Sequence, residues 1–325
     1  MTFWDGRSVF VTGGTGFLGR WVVGELLDRG ARVTCLVRDV VPAAPFFADG
    51  LAGRVASVRG ALEDYALLER AVAEHEADTV FHLGAQAIVG IANRNPLATF
   101  ETNVRGTWNL LEACRRNPVT RVVVASSDKA YGIHETLPYD EDAPLRGTHP
   151  YDVSKSCADL IALTYHHTWR TPVCVTRCGN LFGPGDTSWS RIVPGTVRSA
   201  LRGERPIIRS DGTMVRDYVH VRDIAAAYLL LAERMDDKAL HGQAFNFGTG
   251  EPQSVLEITR LVLKAAQRED LEPVILNEAK AEIPAQYLSS ERARRLLGWA
   301  PGRPRAERVA ETVDWYRGYL GQAGS

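Results

Sequence analysis

Through its first 180 residues the chain switches repeatedly between two hydrophobic periods. Short apolar runs such as "RSVFVTG", "ARVTCLV", "ADTVFHLG" and "VTRVVVASS" have the length and β-branched content of strands. Between them, "FLGRWVVGELLDRG", "DYALLERAVAEH", "TFETNVRGTWNLLEACRR" and "YDVSKSCADLIALTYHHTW" space their apolar residues along one helix face. "VASVRG" reads as a further strand after the second, and "PVCVTRCGN" as the sixth. Strands alternating with helices of this length predict an α/β fold, a doubly wound parallel sheet with right-handed crossovers.

After Asn180 the pattern loosens. "LFGPGDTSWSRIVPG" is rich in glycine and proline, and "TVRSALRGE" is a short helix. "PIIRSDGTMVRDYVHVRD" reads as short strands around a turn at Asp211-Gly212. "IAAAYLLLAERM" is an apolar helix expected to return to the sheet, while "AFNFGTGEPQSVLEITRLVLKAAQ" and "SERARRLLGW" build a smaller unit. No repeat, low-complexity segment or linker separates the two units, so we expect them to be interleaved. The larger takes residues 1–180 and about 214–243; the smaller takes 181–213 and 244–325.

Composition adds little to this. With 325 residues, 45% hydrophobic and 24% charged, the chain can bury a sizeable core and reads as an ordinary soluble domain. A net charge of −1 gives no bulk attraction to nucleic acid or an anionic membrane, so any anion site must be local. No apolar stretch reaches the ~20 residues of a membrane span. "MTFWDGRSVFVTGG" enters a strand without the basic, apolar, small-residue order of a signal peptide. The five cysteines, Cys35, Cys114, Cys157, Cys174 and Cys178, are scattered and form no CxxC. We therefore expect a cytoplasmic protein with no disulfide framework, no metal site, and no nucleic-acid or membrane partner.

Local chemistry begins at "VFVTGGTGFLGRWVV", where Gly13, Gly16 and Gly19 lie between the first strand and the first helix. Glycines at this junction allow a tight turn and close backbone approach to a pyrophosphate. The helix N-terminus behind them offers free N–H groups and partial positive charge. An NAD site usually has a carboxylate at the end of the second strand, for the ribose hydroxyls. Here that strand ends "CLVRD": Val37 holds the position and Arg38 follows, suited to a 2′-phosphate, with Asp39 the competing NAD reading. The balance leans to NADP over NAD.

"YDVSK" places Tyr151 and Lys155 four apart, on one face of a helix. A free phenol titrates near ~10 and is a poor base at neutral pH. A neighbouring ammonium and a cationic nicotinamide favour the phenolate, which can then take a proton from a sugar hydroxyl as hydride leaves the same carbon. Ser127, at the end of the fifth strand, is placed to hydrogen-bond that hydroxyl. Arg216, just past the Asp211-Gly212 turn, can grip a diphosphate through two N–H groups, and Arg191 in "SWSRIVPG" is a second candidate. The competing readings are an ion pair of Arg216 with Asp217 or Asp223, Trp189 as core rather than a sugar cover, and His82 as a satisfied core histidine.

Taken together, "TGGTGFLG", "FHLGAQA", "TNVRGTWNLLEA", "SSDKAYG", "YDVSK", "RCGNLFGPGD", "RDYVHVRDIAAAY" and "FNFGTG" resemble the extended short-chain dehydrogenase/reductases that act on nucleotide sugars. The resemblance covers nearly the whole chain and runs most strongly to sugar 4,6-dehydratases of the CDP-glucose and GDP-mannose types. It implies a Rossmann fold with a smaller C-terminal substrate domain. It also implies a nucleotide-diphosphate-hexose substrate and a nicotinamide cofactor tightly bound and restored at each turnover. Gly13, Thr15, Gly16, Phe17, Leu18, Gly19, Arg38, Leu62, Leu83, Tyr151 and Lys155 match cofactor positions; Ser127, Tyr151 and Lys155 match the catalytic set; Asn180 and Arg216 match diphosphate positions. The helices in "TFETNVRGTWNLLEACRR" and "KSCADLIALTYHHTW" resemble those that pair in homodimers of the family. One departure is Ala61 in "GALED", where the family often has an aspartate that contacts adenine.

Asp128 and Lys129 separate the possible reactions. A 4-epimerase oxidises C4, turns the ketosugar and reduces it again, for which small neutral residues after the serine suffice. A 4,6-dehydratase must also remove the C5 proton and expel O6 as water. The resemblance then makes Asp128 the acid at O6 and Lys129 the base at C5. That requires the acid's pKa raised and the amine's lowered, and their mutual attraction opposes both unless they point apart, as neighbours on a strand do. The alternatives are a UDP-sugar 4-epimerase, an NADPH-consuming sugar reductase and a non-catalytic dinucleotide-binding regulator. The last has no need of the Ser127, Tyr151, Lys155 set.

Overall fold

The apolar runs become strands because a sheet covered on both faces can bury them end to end. In the computed structural model, which describes residues 2–278 and 283–322, these are β1 (Ser8–Thr12), β2 (Arg32–Val37), β3 (Ala56–Arg59), β4 (Thr79–His82), β5 (Arg121–Ala125) and β6 (Val173–Cys178). Short strands β7 (Asn180–Phe182), β8 (Ile207–Ile208), β9 (Val215–Arg216) and β10 (Tyr218–His220) precede β11 (Ala244–Phe247). Then come β12 (Gln253–Ser254), β13 (Val274–Ile275) and β14 (Ala285–Gln286).

The main sheet has the order β11-β6-β5-β4-β1-β2-β3, and every neighbouring pair is parallel. Successive residues serve opposite faces. Val9, Val11, Phe81 and Val123 enter one core, with helices Phe17–Asp28 and Val221–Arg234. Phe10, Val80, Val122 and Val124 enter the other, with helices Tyr65–Glu74 and Gly106–Arg116. A third core joins Phe182 and Tyr218 to Val193, Val197, Ile258, Val262, Val309 and Val313.

Two expectations change. Residues 244 onward were assigned to the smaller unit, but Ala244–Phe247 pairs with Val175–Cys178 in the main sheet. All four of its residues are buried, and helix Glu291–Leu297 sends Ala293 and Leu297 into the same core as Phe245 and Phe247. The helix read in "TFETNVRGTWNLLEACRR" is continuous in path but has a π-helical turn at Glu101–Arg105 between Pro96–Phe100 and Gly106–Arg116. That turn buries Asn103, whose amide donates to Ser154 Oγ (2.9 Å) and accepts from Gln86 N (2.7 Å). No described helix is long and apolar enough to cross a membrane.

From β1 the chain winds first toward β3 and then toward β11, so a crevice opens beyond the strand ends where the direction reverses.

Candidate active site

A cleft of about 1020 Å³ lies in this crevice. Its wall collects the residues that follow the carboxyl ends of β1, β2, β4, β5 and β6.

The glycine loop is shaped by close approach. Gly13 adopts φ +71°, and a Cβ there would sit 2.6 Å from Gly84 N. A Cβ on Gly19 would collide with Gly13 O and lie 2.7 Å from Gly13 C. Helix Phe17–Asp28 starts at Gly16 with no side-chain cap and no acidic residue in its first turn. Its free N–H groups and positive end are left for an anion, which is the environment a dinucleotide pyrophosphate requires. Gly13, Thr15, Gly16, Phe17, Leu18 and Gly19 all line the cleft, as do Leu62 and Leu83. Arg38 and Asp39 line it too, bonded to each other at 2.6 Å, with side chains 65% and 61% exposed.

At the end of β5 the chain leaves the strand sooner than expected. Ser127 Oγ accepts from Lys129 N (3.2 Å) and caps a 3₁₀ turn, Asp128–Tyr131. Asp128 and Lys129 are therefore a third of a turn apart rather than on opposite faces of a strand. Lys129 Nζ stands 4.0 Å from Asp128 Oδ1, so the pair does not point apart and its mutual attraction is not relieved. Asp128 is 2% exposed and belongs to the cleft wall. Its Oδ1 accepts from Ser127 Oγ (3.1 Å), while its buried Oδ2 has no hydrogen-bond partner among the described residues. Such an unpartnered oxygen at a cleft wall suits a ligand hydroxyl.

Tyr151 and Lys155 rise from helix Pro150–Trp169 into the same wall. Burial pushes the Tyr151 phenol up to about 12, against the pull of its hydrogen bond with Ser127. Burial likewise pushes Lys155 down to about 8, opposed by Asp159 and Cys178. Without a ligand, burial outweighs the cationic help expected for the phenolate, and the phenol is protonated at neutral pH. Lys155 Nζ donates to Ala125 O at 2.8 Å.

On the far side, Asn180 and Arg191 line the cleft, and Arg191 Nη1 is held by the buried Asp186 at 3.1 Å. Arg216 is 7% exposed in β9, donates to Val215 O (2.8 Å) and is not among the lining residues. Asp217 accepts from Thr249 and Gly250, and Asp223 from Arg308. Trp189 packs on Tyr316, with centroids 5.7 Å apart, within the third core. His82 is bonded on both sides, to Thr12 (2.8 Å) and Thr107 (2.9 Å), and burial holds it down to about 3, the behaviour of a core histidine.

Residues 9–248 match the family described as "NAD dependent epimerase/dehydratase family". The chain belongs to that family. CDP-glucose 4,6-dehydratase of Salmonella typhimurium is 30% identical, covering 98% of this chain and 92% of its own. The dTDP-glucose 4,6-dehydratase DesIV of Streptomyces venezuelae, solved with NAD bound, superposes with a TM-score of 0.87 at 30% identity, over 97% of this chain and 98% of its own. UDP-glucose 4-epimerase of Thermotoga maritima, solved with UDP-glucose, reaches 0.87 at 29%, over 96% and 99%. The fold expected from the sequence is the family's fold.

Two cations on the wall, Arg94 and Arg209, were missed in the sequence. Arg209 shares the segment that flagged Arg216, and Arg94 ends the short helix Val89–Arg94. Neither stands in a motif with a fixed spacing.

Proposed function

We propose that this protein is a nucleotide-diphosphate-hexose 4,6-dehydratase, with CDP-glucose or GDP-mannose as the first substrates to test. The carrying observation is the buried carboxyl of Asp128 beside Lys129, on one wall with Ser127 and Tyr151. Epimerisation does not require an acid and an amine there, whereas dehydration does. The name and coverage of the Salmonella relative support the same reading.

The glycine loop, Leu62 and Leu83 hold the dinucleotide. When bound, the nicotinamide supplies hydride acceptance from C4 and hydride return to C6. Ser127 hydrogen-bonds O4 while Tyr151 takes its proton, and the Lys155 ammonium favours that transfer. Lys129 removes the C5 proton. Asp128 delivers a proton to O6, which leaves as water, and a solvent-derived proton is later returned to C5. The products are one water and a 4-keto-6-deoxy sugar nucleotide. Asn180 and Arg191, which line the cleft, serve the diphosphate, and the third core with its short strands forms the substrate unit.

Arg38 supports recognition of a 2′-phosphate and hence NADP; its bond to Asp39, and the NAD in DesIV, support the NAD reading. Titrating both cofactors separates the two: Arg38→Ala weakens NADP by about tenfold or more if that charge-assisted contact exists, and an unchanged NADP affinity removes it. Exposed Trp108, Leu160 and Trp169, on the helices expected to pair, support a homodimer. Free thiols at all five cysteines support a reducing, cytoplasmic setting.

The deciding experiment incubates the protein, without added cofactor, with CDP-, GDP-, UDP- and dTDP-hexoses and reads products by chromatographic retention and mass. Loss of one water with a keto product is expected. An isomer of equal mass would assign a 4-epimerase instead, and dependence on added NADPH a reductase.

A further inference from the structure

Lys129 is held by a residue from the other end of the chain. Gln286, in β14, is fully buried. Its Nε2 donates to Asp128 O at 2.8 Å, and its Oε1 accepts from Lys129 Nζ at 3.1 Å. The orientation of the amide follows from chemistry: a backbone carbonyl only accepts, so the amide nitrogen must face Asp128 O, which leaves the amide oxygen for the amine. β14 pairs with β9, Gln286 opposite Arg216, and β9 pairs with β12, so the amide stands on a small sheet rather than a loop. Gln286 is not among the cleft-lining residues.

We propose that Gln286 is the positioning residue that aims Lys129 at the C5 proton, an inference resting on the dehydratase reading. A lysine side chain carries its nitrogen on a flexible four-carbon stem, so a lysine base needs something to fix its direction. One N–H direction of Lys129 Nζ is taken by Gln286 Oε1 at 3.1 Å, and Asp128 Oδ1 lies 4.0 Å away. That contact restricts the swing of the flexible stem, which is what a base aimed at one proton requires. A neutral amide suits this task because it orients the nitrogen without adding a charge that holds the ammonium. Two carboxyls act on the amine: Asp128 on its own turn and, from helix Pro150–Trp169, Asp152, whose raised carboxyl is pulled back down by Lys129. Gln286 lies opposite Arg216 in the β14–β9 pairing, so the residue that holds the amine is itself fixed by a strand.

The test compares wild type, Gln286→Met and Gln286→Glu, each also in a Lys129→Ala background, with the sugar nucleotide that wild type dehydrates. Three readouts are taken: solvent deuterium entering C5, the absorbance of reduced nicotinamide after mixing, and KM. Gln286→Met should lower C5 exchange about 10²-fold, the effect of misplacing a catalytic group by about 1 Å. Nicotinamide reduction and KM should stay close to wild type, because C4 oxidation does not use the amine. Gln286→Glu, which keeps the acceptor but pins the ammonium, should lose at least as much. Adding either change to Lys129→Ala should cause no further loss, since coupled residues do not add. Wild-type C5 exchange in both variants, or losses that multiply in the double variants, would overturn the proposal while leaving the dehydratase reading intact. Failure of wild type to release water from any of the nucleotide hexoses would remove both.

Discussion

Replacing Lys155 by Met should cut turnover sharply and make the protein more stable near neutral pH. Burial lowers this ammonium from about 10.5 to about 8. At 1.36 kcal/mol per pKa unit, holding the charge in place costs the fold about 3 kcal/mol wherever both folded and unfolded forms carry it, that is, below about pH 8. Methionine removes that penalty but strips Ala125 O of its 2.8 Å donor. A buried unpaired carbonyl costs about 1–3 kcal/mol, so the net gain near pH 7 is about 1 kcal/mol. The pH dependence is the sharper quantity. Between the folded and unfolded pKa values the unfolded chain binds more protons, so wild-type stability rises with pH through this window. The advantage of Lys155→Met should therefore shrink by about 2 kcal/mol between about pH 7 and about pH 9.5. Urea unfolding of both cofactor-free proteins at the two pH values measures it, and turnover should fall about 10²–10⁴-fold. A difference in stability that stays constant with pH, whatever its sign, would refute the burial argument for Lys155.

Lys129→Ala should leave cofactor affinity unchanged while deuterium entry at C5 and water loss both fall about 10²–10⁴-fold; unchanged exchange and turnover exclude the amine as the base. Gly19→Ala puts a Cβ into the Gly13 backbone, so cofactor affinity and Tm should both drop, read by fluorescence titration and thermal melting. A variant that binds the dinucleotide as tightly as wild type contradicts the role given to that loop.

The chain's local spacing determined much of this protein. Runs such as Val9–Val11 and Val122–Val124 are apolar on both faces, which is enough to require a covered parallel sheet. The three glycines after β1, and the four-residue interval between Tyr151 and Lys155, carry their chemistry within one turn of backbone. These features were legible because nearest neighbours fix them. The placement of Ala244–Phe247 was not: "AFNF" reads as a strand, but which sheet accepts it depends on the edge offered by β6 and on helix Glu291–Leu297. The mutual orientation of Asp128 and Lys129 was left open by the sequence for a related reason. A serine after a strand either extends it or caps a turn, and here the cap prevails.

What only tertiary structure decided is the environment of the charged groups. The sequence supplied a phenol, two amines and a carboxyl; packing set which are buried, and so raised Tyr151 and lowered Lys155. Folding also brought Gln286 to Asp128 and Lys129 across 158 and 157 residues of chain, and put Arg216 in a strand instead of on the cleft wall. Backbone periodicity acts over a few residues, whereas desolvation and hydrogen-bond pairing depend on whatever the fold brings within a few ångströms. The first can be read along the chain, and the second exists only once its cores have closed.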